Sequence, residues 1–146
     1  MKRQLNNLWV SFKSVWVSFK SLDLIFDFSQ GNGNKKVFLL SGDVHCAAIF
    51  QLRKKESDAR VYQLTSSAIT YAKNLPSWLV KKQVEDTGLL SGRDDIEFKR
   101  LSPVEAINNF SIITVEPAGD DVLVHFDLYG RPKKDKGMLM YERLSM

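Results

Sequence analysis

Two side chains with metal-binding chemistry stand two residues apart in the segment SGDVHCAA, residues 41–48. In an extended chain Asp43 and His45 point to the same side, so the carboxylate and the imidazole can approach one cation. Gly42 lets the backbone come close to a ligand. A carboxylate oxygen with an imidazole nitrogen suits zinc, manganese or iron. The alternative interpretation is structural, with Asp43 capping a turn and His45 half-buried with its hydrogen bonds satisfied.

The rest of the sequence offers no second cluster of comparable quality, although a catalytic metal centre needs at least three protein ligands. His125 and Asp127 repeat the two-residue spacing, but they alternate with apolar residues, which favours a strand whose polar face is turned to solvent. Cys46 is either a third ligand, a redox-active group or a small buried thiol. The two alanines that follow it favour the buried thiol.

The segment with Asp43 and His45 follows a predicted strand. The run VFLL at residues 37–40 has turn-forming residues on both sides, which predicts a central strand buried on both faces. Open α/β sheets bind ligands where such strands end. Before it, apolar residues at three-and-four spacing predict an amphipathic helix over residues 5–28, which the residues QGNGN at 30–34 would end.

The predicted helix contains the hexapeptide WVSFKS twice, at residues 9–14 and 16–21. Seven residues make nearly two helical turns, so the repeat rotates the apolar stripe by only about 20° and lengthens the helix without changing its buried face. We interpret the duplication as a tolerated insertion. A seam for a partner helix is the alternative, for which two repeats are few.

The remaining sequence is mainly typical of strands, so residues 36–146 are predicted to form a sheet region. Pro76 opens a predicted short helix that ends near Gly88, residues 87–95 are predicted to be an irregular loop, and residues 103–105 a brief turn. The predicted strands are residues 47–53, 60–65, 111–115, 122–129 and 138–143. The predicted fold class is therefore α/β or α+β, with an N-terminal amphipathic helix followed by mainly β structure.

Composition limits the class of protein. The chain has 146 residues, of which 44% are hydrophobic, enough for one packed domain or part of one. Its single cysteine excludes disulfide scaffolds and zinc sites built from paired thiolates. Charged residues interrupt the apolar N-terminal stretch, which therefore matches neither a signal peptide nor a membrane-spanning helix. We expect a reducing, cytoplasmic location and no membrane partner.

The net charge is +4, from 21 basic and 17 acidic residues. The basic residues form small groups along the chain, which is typical of solvated loops and helix ends. The alternative is that they attract phosphorylated partners. No paired zinc ligands, RNA-binding strand signature or recognition helix is recognised, so we expect no nucleic-acid partner.

Three strings in combination resemble the C-terminal portion of the PhoD-like alkaline phosphatases, a branch of the calcineurin-like metallophosphoesterases. They are VFLLSGDVHCAAIFQL, VYQLTSSAIT and NNFSIITVEP, and the similarity covers residues 22–129. The resemblance implies a four-layer αββα sandwich with a centre of two divalent metal ions that hydrolyses phosphate esters. It also implies that Asp43 and His45 are metal ligands and that Thr65, Ser66 and Ser67 form a supporting loop.

The family's earlier motifs, which supply most metal ligands and phosphate contacts, do not occur in this sequence. The resemblance therefore implies one partial domain, residues 1–146, with no assignable catalytic residue and no appreciable phosphatase activity alone. It also implies association with the missing N-terminal part of the domain or with a second copy, because a cut sandwich exposes an apolar face. The alternative function is a non-catalytic phosphate-binding or protein-interaction module.

Overall fold

The structure is a computed structural model that describes residues 19–32, 35–42, 46–66, 85–105, 107–119, 121–131, 137 and 139–146. These residues form one helix, α1 (Phe19–Gly31), and eight strands. The strands are β1 (Val37–Ser41), β2 (Ala48–Lys54), β3 (Arg60–Thr65), β4 (Thr87–Leu89), β5 (Ile96–Arg100), β6 (Asn108–Ala118), β7 (Asp121–Arg131) and β8 (Leu139–Ser145). The predicted helical residues 5–18 and most of the predicted helix that begins at Pro76 lie outside the described residues.

The strands form two sheets. One has five strands in the order β1-β3-β2-β5-β4, and the other has three in the order β6-β7-β8. β1 and β3 run parallel, because Phe38 stacks on Tyr62 and Ser41 contacts Thr65, and both pairs are 24 residues apart. The contacts divide the chain into two compact units, one with the described residues of 1–39, 49–63 and 85–101, the other with the described residues of 40–48, 64–84 and 102–146.

In the first unit, α1 packs its apolar face on the larger sheet. Leu22 and Phe26, four residues apart, are buried, whereas Leu24 and Phe28 on other faces of the helix are exposed. The helix and sheet share one core, whose buried members are Leu22, Phe26, Leu52, Ala59, Val61, Leu90, Ile96 and Phe98. The predicted amphipathic helix is therefore confirmed for its described part.

Polar contacts fix the end of α1. The side-chain amide of Asn32 donates to the carbonyl of Phe28 at 2.8 Å, and the buried hydroxyl of Ser29 donates to the carbonyl of Lys35 at 2.6 Å. The first bond satisfies a carbonyl that the last helical turn leaves without a helical partner, and the second links the helix to the chain that follows it. The helix therefore ends at Gly31, within the predicted QGNGN segment.

The prediction of a central strand at residues 37–40 is wrong about its neighbours and its burial. Among the described residues, β1 lies at the edge of the five-stranded sheet, beside β3 alone, and Leu40 is 64% exposed. A run of apolar residues predicts that both side-chain faces of a strand are apolar. It does not predict how many neighbouring strands form backbone hydrogen bonds with it, and a central strand has two such neighbours.

The predicted irregular loop at residues 87–95 is also wrong in part, because it begins with β4. β4 pairs antiparallel with β5, a strand that was not predicted, and Gly88 lies opposite Phe98. A Cβ at Gly88 would lie 3.0 Å from the ring of Phe98, so glycine here permits close packing. In β5 the buried Ile96 and Phe98 alternate with Glu97 and Lys99.

The second unit contains a long hairpin. β6 and β7 pair antiparallel from Asn108 opposite Arg131 to Ala118 opposite Asp121. Gly119, with φ +68°, lies in the turn, and β8 continues the sheet on the other side of β7. The predicted strands are confirmed here and extend by a few residues beyond their predicted bounds.

The αββα sandwich that the resemblance implied is contradicted. Strand accounts for 59% of the described residues, which contain a single helix. A four-layer sandwich of that type needs helical layers on its outer faces, whereas the helix here covers part of one sheet. The broader prediction of α+β structure is compatible with the observed elements. Within the described residues, no helix combines the length and apolar character that crossing a membrane requires.

Candidate functional site

A pair of hydroxyl groups lies where the strand before the SGDVH segment ends. The Oγ atom of Ser41, the last residue of β1, lies 2.7 Å from Oγ1 of Thr65, the last residue of β3. The backbone N–H of Ser66 donates to the carbonyl of Ser41 at 3.1 Å. Thr65 is only 3% exposed, so its hydroxyl depends on this partner for a hydrogen bond. Two of the strings that carry the family resemblance therefore meet at Ser41.

A buried amide connects the third string to the same network. Asn109, near the start of β6, is 1% exposed, and its Oδ1 atom accepts a hydrogen bond of 3.0 Å from Oγ of Ser66. Its Nδ2 atom donates to the carbonyl of Ile107 at 2.7 Å. The amide is therefore held at both ends, and it fixes the side chain of Ser66.

Two residues after the SGDVH segment, backbone hydrogen bonds join Ala47 to Glu105. The N–H of Ala47 donates to the carbonyl of Glu105 at 2.8 Å, and the N–H of Glu105 donates to the carbonyl of Ala47 at 2.9 Å. Residues 42–46 therefore connect two positions that are each bonded to neighbouring chain segments.

Cys46, in this connection, is a buried thiol. It is 6% exposed, and burial raises the pKa of the thiol to about 11. At neutral pH the group is therefore protonated, and a protonated thiol is neither a good nucleophile nor a metal ligand. The predicted burial of Cys46 is confirmed.

The two predicted metal ligands, Asp43 and His45, lie outside the described residues, as does Ser67 of the predicted supporting loop. The metal site thus stays a prediction. Of the predicted loop, Thr65 and Ser66 are described, and the structure brings both of them to Ser41. Sequence reasoning missed Asn109. Its signal was available, because it lies in the string NNFSIITVEP.

The second pair with two-residue spacing, His125 and Asp127, serves another purpose. Asp127 is 5% exposed, so the prediction that it faces solvent is wrong. Arg143 of β8 lies opposite Asp127, donates to both of its carboxylate oxygens at 2.6 and 2.7 Å, and lowers the pKa of that carboxyl. His125 has Nδ1 2.9 Å from Oγ of Ser145. The sequence of β7 could not reveal that β8 places an arginine beside it.

The side-chain types of Asp43 and His45 suit a divalent cation. Asp43 and His45 would supply two ligands, and a catalytic metal site takes at least three from protein. In the described part of the chain, no group of three or more His, Cys, Asp or Glu side chains converges. The nearby side chains of Ser41, Thr65 and Asn109 carry hydroxyl and amide groups, which suit hydrogen bonding. We therefore derive no catalytic step for this chain alone.

Comparisons of the chain with models of protein families, with curated proteins and with solved structures find no match. The sequence motifs and the contacts between them are therefore the basis for a functional proposal.

Proposed function

We propose that this chain contributes one wall of a metal-dependent phosphoesterase site, in which Asp43 and His45 bind a divalent cation. One observation carries the proposal: the three strings of the PhoD-like resemblance are joined by hydrogen bonds. Ser41 of the first string contacts Thr65 of the second, and Ser66 of the second contacts Asn109 of the third. The four residues lie in one compact unit of the structure, and their contacts support the proposal.

Hydrogen bonds at Ser41 and at Ala47, on either side of the two proposed ligands, support the proposal. Ser41 is bonded to residues at the end of β3, and Ala47 is bonded to Glu105. A metal ligand that is already positioned loses little conformational freedom on binding, so its affinity for the cation is higher. The network of Ser41, Thr65, Ser66 and Asn109 then acts by positioning the segment.

The site needs further ligands, which a second copy of the chain or another polypeptide would supply. Exposed apolar side chains support an association of this kind. Val115 on β6 is 61% exposed and Val122 on β7 is 53% exposed, although apolar surface favours burial. The substrate of the assembled site would be a phosphate ester. The single cysteine of the chain supports a reducing, cytoplasmic location as part of this proposal.

The test is a titration of the full chain with Mn²⁺, measured by the decrease of the free Mn²⁺ electron paramagnetic resonance signal. His45→Ala removes one of two protein ligands and should weaken binding at least about tenfold. His125→Ala is the matched control, because His125 is the other histidine of this chain. It should leave the Mn²⁺ affinity unchanged.

Equal Mn²⁺ affinity in the wild type and in His45→Ala would contradict the proposal, as would an equal loss in both variants. The same samples are assayed for hydrolysis of p-nitrophenyl phosphate, where the incomplete ligand set predicts no turnover by the chain alone. Turnover that His45→Ala abolishes would contradict the inference that the site is incomplete, and would leave the metal site standing.

A further inference from the structure

A pocket of about 600 Å³ lies on the five-stranded sheet, and the described residues that line it all belong to the first unit. The polar and charged side chains around it come from four strands: Gln51 and Arg53 of β2, Arg60 of β3, Thr87 of β4, and Glu97 and Lys99 of β5. Its volume is within the range of about 300 to 1,000 Å³ that is usual for small-molecule sites.

The strand register explains why polar groups gather here. Lys99 lies opposite Gln51 on one side and opposite Thr87 on the other, so these three residues form a row across β2, β5 and β4. Arg53 and Glu97 form the next row on the same face, because side chains two residues apart on a strand point the same way. The wall of the pocket is therefore the polar face of the sheet.

The charges of the pocket do not balance. Arg53 donates to Glu97 at 2.7 Å, and this bond lowers the pKa of Glu97, so the two charges offset each other at neutral pH. Arg60 and Lys99 are exposed and make no ion pair within the described residues. Among the described residues that line the pocket, three basic side chains and one acidic side chain leave two positive charges.

We propose that this pocket binds the phosphate monoester of a small organic molecule. A phosphate monoester carries about −1.5 to −2 charges at neutral pH, which matches the charge of the pocket, whereas a monocarboxylate would leave one positive charge uncompensated. Guanidinium and ammonium groups are the usual partners of phosphate oxygens. Thr87 adds a hydroxyl donor, and Leu89 supplies apolar surface for the organic part. The inference does not depend on the metal site proposed above.

The test uses the full chain and phenyl phosphate, with binding followed by isothermal titration calorimetry in the presence of EDTA. Arg60→Gln and Lys99→Gln should each weaken binding about tenfold, because each removes one of the two unbalanced charges. Lys36→Gln is the matched control. It removes the same charge from an exposed position of the same unit that does not line the pocket, and it should change the affinity less than twofold.

Three companion measurements identify the ligand chemistry. Benzoate should bind about tenfold more weakly than phenyl phosphate because of its smaller charge, phenol should not bind, and inorganic phosphate should bind more weakly because it lacks the organic part. His45→Ala should leave phenyl phosphate binding unchanged, and circular dichroism should show that all the variants are folded.

The proposal would be overturned if phenyl phosphate did not bind, or if Lys36→Gln weakened its binding as much as the pocket variants do. It would also be overturned if phenol, benzoate or inorganic phosphate bound as tightly as phenyl phosphate. Loss of phenyl phosphate binding in His45→Ala would overturn it as well. The last result would place the phosphate at the metal-binding segment and would leave the proposed function standing.

Discussion

The hydroxyl oxygens of Ser41 and Thr65 lie 2.7 Å apart, although 24 residues separate them in the chain. Each residue is the last of its strand, and the two strands are neighbours in the five-stranded sheet. The contact fixes the point at which the chain leaves β1 and enters the segment with Asp43 and His45. Its strength can be measured without any assumption about a metal ion.

Removing the hydroxyl of Thr65 should destabilise the protein. Thr65→Val keeps the shape of the buried side chain but leaves Ser41 without this partner, at a cost of about 1 kcal/mol in the free energy of unfolding. Urea unfolding of the wild type, Thr65→Val, Ser41→Ala and the double variant should show a coupling energy of about 0.5 to 1 kcal/mol. Thr114→Val, at an exposed position of β6, is the control and should change stability by less than about 0.5 kcal/mol. Strictly additive effects of the Ser41 and Thr65 substitutions would argue against the contact.

Two adjacent asparagines should respond differently to truncation. Asn109→Ala removes a buried amide that bonds to Ser66 and Ile107, and we expect a loss of about 1 to 3 kcal/mol because buried polar partners are left unpaired. The Oδ1 atom of Asn108 is buried and accepts no hydrogen bond from the described part of the chain. Asn108→Ala should therefore leave the free energy of unfolding within about 0.5 kcal/mol of the wild-type value, or raise it. Urea unfolding measures both, and equal losses would show that Asn109 has no special role.

Stability at acidic pH should depend on Asp95. Arg93 donates to Asp95 at 2.6 and 2.7 Å and also to Asp23 of α1, and its hydrogen bonds lower the pKa of Asp95 to about 2. An aspartate in an unfolded chain has a pKa near 3.9. Since the folded pKa is the lower one, the contribution of Asp95 is fully present well above pH 4 and is lost as the pH falls through about 2.

Asp95→Asn should therefore reduce the decrease in the free energy of unfolding between pH 4 and pH 2. The slope of this free energy against pH should change by the equivalent of up to about one bound proton. Urea unfolding at several pH values gives this slope. Asp94→Asn makes the same change of charge at an exposed neighbour that forms no ion pair in the described part of the chain. It should leave the slope as in the wild type, and matching slopes for Asp94→Asn and Asp95→Asn would refute the assignment.

Much of the local structure could be predicted from the sequence. The spacing of Leu22 and Phe26 indicated the buried face of α1, and the alternation in β7 and the glycine in the turn before it indicated the hairpin. β5 was missed although Ile96 and Phe98 alternate with charged residues, because the glycines and aspartates before it suggested a loop. Its pairing partners lie elsewhere in the chain, so the strand became recognisable only beside β2 and β4.

The sequence by itself determined the helical period of α1, the strand period of β7 and the turn before it, because side chains three or four residues apart on a helix, or two apart on a strand, share a face. The two alanines after Cys46 favoured its burial. Only the tertiary structure decided that β1 lies at an edge, that Asp127 pairs with Arg143, and that Ser41, Thr65, Ser66 and Asn109 form one network. These contacts join distant segments. Which segments pair depends on the free energy of the whole chain, summed over all competing partners, and no local pattern records that sum.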